Sequence, residues 1–279
     1  AGPQKGGHMK VATVQGSTTN TLDSTKLTSG MTSFVFMSIY SQLTEVAPEG
    51  SLRPLLAESY EPVNNDPSKW VFNLRKDAQF HNGKTVDADD VITSIDRHRG
   101  EDSKSAMKAF AEAITQMDKD GDNRVIFTLK ESNVDFPFVL SAQQLSIHPT
   151  NDGKITEFGV GSGAYELEKF EAGRAAKLKR NENYFSADRG FVDSAEILTI
   201  ADTAARSNAL VTGTVDIIGD VDAKTAHLLD RQAGITVMEV TGGQHYTFPM
   251  RMTESPFDNG DVRLALKYAI NREEVLAKI

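Results

Sequence analysis

The chain has 279 residues, ordinary apolar and charged fractions, no cysteine and a formal net charge of −9 at pH 7. That length supports a sizeable core and more than one lobe, and a net negative charge spread along the chain argues against nucleic acid or an anionic membrane as the main partner. Without cysteine there are no disulfides and no thiolate metal sites, and no apolar run approaches the ~18 residues of a membrane span.

The first stretch, AGPQKGGHMKVATV, is a polar lead running into a strand around Val11 and Val14. It has no signal-peptide pattern, and a processed N-terminus and an appended scar would both look like this. Gln15 to Ser24 (QGSTTNTLDS) reads as a polar loop leaving a strand end, the place where α/β proteins put ligands. A solvated turn is the competing reading. Met31 to Leu43 follows, with Phe34, Met37, Ser38 and Leu43 near helical spacing.

From Leu56 to Ile95 the chain writes a turn, a strand, a second turn and a helix. Trp70, Phe72 and Leu74 alternate with Val71 and Asn73, the period of a strand with one buried face. Asn64 to Pro67 supply the turn before it, and His81, Asn82 and Gly83 break the chain after it. Asp87 is placed to cap a helix that carries Val91, Ile92 and Ile95 on one face.

Met107, Phe110, Ile114 and Met117 recur at spacings of three and four, which predicts a helix over 104–117 with this stripe in the core. DKDGDN then turns the chain into an alternating strand, Val125, Phe127 and Leu129. Asp118, Asp120 and Asp122 have calcium-loop spacing, but the sixth and twelfth positions hold Asn123 and Leu129 instead of glycine and glutamate, so the stretch reads as a hairpin turn.

Gly159, Gly161 and Ala164 fit a loose dinucleotide fingerprint, GxGxxA. That fingerprint must open a helix, and here two strands follow, 164–170 and 175–180, around the turn Glu171-Ala172-Gly173. Nor is Ser162 a hydrolase elbow, because GxSxG needs glycine where Val160 and Ala164 stand. From Asp202 the reading is a capped helix to Leu210, a stop at Gly213 and a strand at 215–218. A second helix runs from Asp222 to Gln232, with a stop at Gly234 and a strand at 235–240. Helix, glycine and apolar strand, twice over, predict parallel βαβ connections. In the tail, Asp261 begins a helix, and Asn271 with Glu274 starts another in capping-box fashion.

The six histidines form no HExxH or HxH pair, and no carboxylate pair stands out, so no metal, cofactor or catalytic residue is assigned.

Two ordered motifs carry a resemblance. "AES", "W-F-LR", "F-HNG" and "DADDV", between Ala57 and Val91, and "PF-(D/N)-DVR-AL-YAI-(D/N)RE", between Pro256 and Glu273, resemble the extracytoplasmic solute-binding proteins of dipeptide, oligopeptide and nickel ABC transporters, family 5. One small departure is Ser24 where that family usually has the proline of "LDP".

The resemblance implies a type II periplasmic-binding-protein-like α/β fold with two lobes and a hinge, of which mainly lobe one is present. Residues 1–43 and 161–254 would form its outer subdomain, 44–160 an inserted subdomain, and 255–279 the start of lobe two. It implies a non-catalytic, periplasmic protein that captures a peptide or similar small solute for ABC permease subunits. Sugar- or opine-binding receptors, a soluble α/β hydrolase and a structural module without a small-molecule cleft are the alternatives.

The ligand site is expected where Gln15, Gly16, Ser17 and Thr18, the turn Gly161-Ser162-Gly163, and Gln244, His245 and Tyr246 converge. Each is a polar, glycine-containing segment at the end of a predicted strand, and the resemblance implies an aromatic residue from the last of them in the cleft. The alternative for Tyr246 is an ordinary inward strand residue.

Overall fold

A computed structural model describes residues 2–27, 29–240 and 247–278. The chain divides into two compact units, Ala1–Asp220 and Val221–Ile279. Gln244, His245 and Tyr246 lie outside the described residues.

In chain order the first unit holds β1 (His8–Thr13), α1 (Gly30–Ile39), β2 (Thr44–Val46), β3 (Leu52–Pro54), β4 (Ala57–Val63), β5 (Asp66–Leu74), α2 (Ala88–Asp96), α3 (Lys108–Ala111), β6 (Ile114–Lys119), β7 (Arg124–Leu129) and α4 (Phe136–Val139). These are followed by β8 (Thr150–Asn151), β9 (Lys154–Ile155), β10 (Tyr165–Glu171), β11 (Ala175–Arg180), β12 (Ser194–Thr199), α5 (Thr203–Val211) and β13 (Ile217–Ile218). The second unit holds α6 (Ala226–Asp230), α7 (Gly260–Ala269) and α8 (Arg272–Lys278).

Two sheets organise the first unit. One runs β10-β11-β12-β1-β13, with β1 parallel to both β12 and β13 and the β10–β11 hairpin antiparallel at one side. Over it lies α1, which buries Met31, Val35, Phe36 and Ile39 against Ala176, Leu178, Ala195 and Ile197. Ser29 caps α1 reciprocally with Thr32. The second sheet is the antiparallel β4-β5-β7-β6.

Trp70, Phe72 and Leu74 share one face of β5, as the alternation predicts, and pack with Val125, Phe127 and Leu129 of β7. Trp70 is 7% exposed, and its Nε1–H donates to the carbonyls of Pro67 and Asn133. The β4–β5 turn places Asn64 and Asn65 at φ 54° and 60°, the left-handed region that asparagine tolerates better than most residues. On the same core, α2 is capped by Asp87 in a reciprocal box with Asp90, and Val91 and Ile95 face inward.

The helix predicted over 104–117 does not form. Only Lys108–Ala111 is helical, and Ile114–Lys119 is an edge strand paired with β7. A β-bulge between Ile114 and Gln116 explains the misleading spacing. Residues three apart on a regular strand face opposite ways, but an inserted residue returns Met117 to the face of Ile114. Both reach the core, whereas Phe110 is exposed.

Beyond β12 the predicted helix and strand appear as α5, capped by Asp202, and β13, a parallel connection that crosses β1. The second repeat does not. Asp222 accepts backbone bonds from Thr225 and Ala226 in a turn, Thr225 takes the N-cap position of the short α6, and 235–240 is not a strand. In α7 the cap is Asn259, whose side chain accepts from the Asp261 N–H, and in α8 the Asn271 side chain accepts from the Glu274 N–H. Neither α7 nor α8 has a buried residue.

Candidate functional site: the carboxyl edge of the parallel strands

The parallel strands β12, β1 and β13 end together at Thr199, Thr13 and Ile218. After β1 the chain returns to the sheet on the β12 side, and after β12 it crosses to the other side of β1. Right-handed crossovers that run in opposite directions leave their helices on opposite faces. The strand order therefore has its switch point at the carboxyl ends of β1 and β12, the position at which open α/β sheets bind ligands.

Gln15, Gly16, Ser17 and Thr18 lie exposed at this edge. The loop is held by its own polar groups. The Ser17 N–H donates to Asn20 Oδ1 at 2.8 Å, the Ser17 and Thr19 hydroxyls are 2.8 Å apart, and the Gln15 carbonyl accepts from the Met31 N–H at 2.9 Å. Gly16 is needed for contact: a Cβ there would meet the Thr199 hydroxyl and lie 2.7 Å from the Gly173 carbonyl oxygen. The side chains of Gln15, Ser17 and Thr18 are thus presented on a backbone that is already fixed.

The structure does not bring Ser162 and Gly163 to this loop. Gln15 sits at the N-terminal end of α1, while Gly161 and Gly163 pack on the carbonyls of Ile39 and Ser38 at its C-terminal end. A ten-residue helix separates the two by about 15 Å. Ser162 is fully buried, and Ser41 Oγ–H donates to its carbonyl. The glycines admit close packing on α1, so this turn is an internal support and not a solute-facing one.

His81 of the "HNG" turn latches that support. Its Nδ1 accepts from the Gly161 N–H at 3.2 Å, and its Nε2 lies 3.1 Å from the Gly163 carbonyl, which also accepts from Asn181 Nδ2 at 3.0 Å. These roles require the neutral, Nε2-protonated ring. Burial favours it, holding the His81 pKa below the ordinary value.

The far end of the β1 loop is tied to the second sheet's core. Asp23 pairs with Arg97, just beyond α2, at 2.7 Å, and the Arg97 guanidinium lies 5.1 Å from the Phe158 ring centre. Hydrogen bonds from Thr25 and Arg97 outweigh burial and lower the Asp23 pKa. Ser24 Oγ and His148 Nε2 are 3.0 Å apart, and Tyr40 Oη accepts from the Gly159 N–H at 2.7 Å. Burial and the nearby Arg97 charge hold His148 and His98 neutral, at pKa values of about 3 and about 4. A buried Ser24–His148 pair has no access for a substrate, so it is a joint and not a nucleophile.

Arg206 and the residues it orders, Ile200, Ala201, Gly219 and Asp220, were not among the expected site residues. The guanidinium is buried and reaches the exits of β12 and β13. Its only sequence signal was an arginine on a short helix between two strand ends. A cavity of about 530 Å³ lies elsewhere, beside the second sheet, lined by the exposed Phe110 and by Leu129, Phe136 and Val139. Among the described residues no cluster of three His, Asp or Glu side chains is placed to hold a metal, and no helix is long and apolar enough to cross a membrane.

The profile described as bacterial extracellular solute-binding proteins, family 5 Middle, matches residues 51–279. The chain belongs to this family. It is 29% identical over 269 residues to the glutathione-binding protein GsiB of Shigella flexneri, covering 94% of this chain and 52% of that relative. The chain thus spans about half the length of the curated relatives it matches. AgaA of A. tumefacien, solved with agropinic acid, is similar at 27% identity and a TM-score of 0.75, over 81% of this chain and 46% of that one. DppA of Helicobacter pylori, a periplasmic binding protein solved with a peptide, shares the fold at a TM-score of 0.80 and 21% identity, over 99% of this chain and 59% of that one. The fold of this chain is accordingly the mixed α/β fold of type II periplasmic binding proteins.

Proposed function

We propose that this protein is the substrate-binding component of an ABC importer, working in the periplasm and delivering a peptide or similar small solute to the membrane permease. The observation that carries this reading is the family match over 229 of 279 residues, from 51 to 279, on a fold whose parallel strands end in a fixed polar loop. The names of its relatives supply the candidate solutes: glutathione for one, an opine acid for another and a peptide for a third.

In this reading the two sheets belong to lobe one, with 44–160 inserted between the outer segments 1–43 and 161–254, and 255–279 opens lobe two. Solute capture proceeds by closure of the two lobes about a hinge. Gln15, Gly16, Ser17 and Thr18 form the lobe-one side of the site. Ser162 and Gly163 serve it indirectly, through α1. In this reading the protein turns nothing over, which the match to a solute-binding family supports.

Isothermal titration of the full-length protein with glutathione, di- to tetrapeptides and opine acids tests the proposal. Saturable binding of one class supports it. Mass spectrometry of the recovered solute separates a receptor from a hydrolase, since only the latter returns fragments.

A further inference from the structure

Three buried polar atoms lie without a partner beneath the loop that follows β1. Thr13, the last residue of β1, is 2% exposed, and Asn20, within the loop, is 7% exposed. Among the described residues Thr13 Oγ1, Asn20 Nδ2 and Thr199 Oγ1 are buried and make no hydrogen bond. Thr13 and Thr199 are register partners on the parallel strands β1 and β12, so their side chains share one face. That face is the one α1 covers, because Ile197, two residues before Thr199, packs on α1. Thr199 Oγ1 lies directly beneath Gly16, where a Cβ would strike it. Asn20 lies between the loop and the first turn of α1: its Oδ1 accepts from the Ser17 N–H at 2.8 Å and from the hydroxyl of Ser29, the α1 cap, at 3.1 Å.

The neighbouring groups are already paired. Because Oδ1 is the atom that accepts from Ser17 and Ser29, the Asn20 amide has one orientation and Nδ2 is left as a donor. Around the cap of α1 the Thr32 N–H donates to Ser29 Oγ, the Ser29 N–H to Thr32 Oγ1, and the Thr32 hydroxyl to the Ser29 carbonyl. The Met31 N–H is taken by the Gln15 carbonyl, and the Ile200 N–H by the Thr13 carbonyl. Buried polar groups in folded proteins are almost always paired, so three orphans at one strand edge point to a shared partner. A dry site would favour valine, which has the shape of threonine and nothing to leave unpaired.

We propose that Thr13, Thr199 and Asn20 hold one buried water beneath the solute loop, and that this water pins the loop to the strand ends. The donor and acceptor count fits a single molecule. It accepts from Asn20 Nδ2 and bonds the hydroxyls of Thr13 and Thr199, about three bonds in all, the usual number for a buried water. A larger solute has no route to this place, since all three atoms are sealed from solvent. Through Asn20 the water ties the Ser17 N–H to both parallel strands. The three residues are therefore positioning residues: they touch no solute, and they fix the backbone from which Gln15, Ser17 and Thr18 present their side chains. That last role rests on the receptor function proposed above; the water site does not.

The test uses the full-length protein. A high-resolution crystal structure should show a water within hydrogen-bond distance of Thr13 Oγ1, Thr199 Oγ1 and Asn20 Nδ2. A dry contact, or a protein side chain in that position, overturns the site. Thr13→Val removes one hydroxyl from a strand residue whose side chain makes no hydrogen bond to the loop. It should nonetheless lower the urea midpoint and speed hydrogen exchange at the Ser17 amide, while Thr13→Ser, which keeps the hydroxyl, stays close to wild type. Glutathione, or the member of the peptide panel that binds, should bind Thr13→Val about fivefold more weakly, the equilibrium equivalent of one ordinary hydrogen bond. A valine variant as stable as wild type, with unchanged Ser17 exchange, overturns the proposal, because a dry hydroxyl is lost without penalty. Should Thr13→Val not fold, Thr199→Val and the wild-type density decide. Faster exchange with unchanged affinity overturns the coupling to solute alone. Wild-type protein that binds no probe overturns the receptor reading, and that coupling with it, while density and exchange still decide the water site.

Discussion

The latch between His81 and the turn 161–163 gives a quantitative test of how the edge is supported. Replacing His81 with alanine leaves the Gly161 N–H without its acceptor, in a fully buried turn. An unsatisfied buried donor costs about 1–3 kcal/mol, and the bond lost at the Gly163 carbonyl a further ~0.5–1.5 kcal/mol. The total is about 2–4 kcal/mol. In a unit of this size each kcal/mol lowers the melting temperature by about 2–4 °C, so His81→Ala should melt roughly 5–15 °C lower. The Gly163 carbonyl keeps Asn181 in that variant. Removing both partners, in His81→Ala/Asn181→Ala, leaves the carbonyl bare, and the double variant should lose at least about 1 kcal/mol more than the sum of the singles. Urea unfolding followed by circular dichroism measures all four corners of the cycle. Additivity within ~0.5 kcal/mol, or a His81→Ala melting shift under about 2 °C, would refute the latch.

Acid should weaken the protein through His98 and His148. Their folded pKa values of about 4 and about 3 lie below the ordinary 6.5. The unfolded chain therefore takes up these protons first, and stability falls as pH drops from 6.5 towards the folded values. At about pH 5 each histidine should cost about 2 kcal/mol relative to pH 7, and the urea midpoint of His148→Gln should depend less steeply on pH than that of wild type. Trp70→Ala should lose about 3–5 kcal/mol, since the ring is 7% exposed in the core of the second sheet and its N–H serves two carbonyls; a loss under ~1 kcal/mol in the same urea assay would place the ring outside that core.

Local patterns were legible where short-range physics decides them. The alternation through Trp70, Phe72 and Leu74, the Asp87 cap and the glycine-stopped α5 all follow from neighbours within a few residues. The stretch 104–117 was misread because a β-bulge, fixed by pairing with β7, reproduces helical spacing in one dimension. Gly161 and Gly163 were legible as special but not in what way. Glycine permits either approach to a ligand or approach to another backbone, and the second held, against a helix more than a hundred residues earlier. Arg206 could not be read at all, because its four acceptors are carbonyls assembled by strand pairing, with no side-chain identity to announce them. The expectation for Gln15 to Thr18 rested on a strand end followed by a polar, glycine-containing segment, and the structure places those four residues exposed at the parallel edge.

Capture of a small solute by the full-length protein, with release of that solute intact, is the behaviour that defines a receptor of this kind. Calorimetric titration with glutathione and short peptides, followed by mass spectrometry of the recovered solute, is the most direct measurement of it. Saturable one-to-one binding with the solute returned unchanged is the predicted result. Absence of saturable binding across the panel, or recovery of cleaved solute, would contradict it.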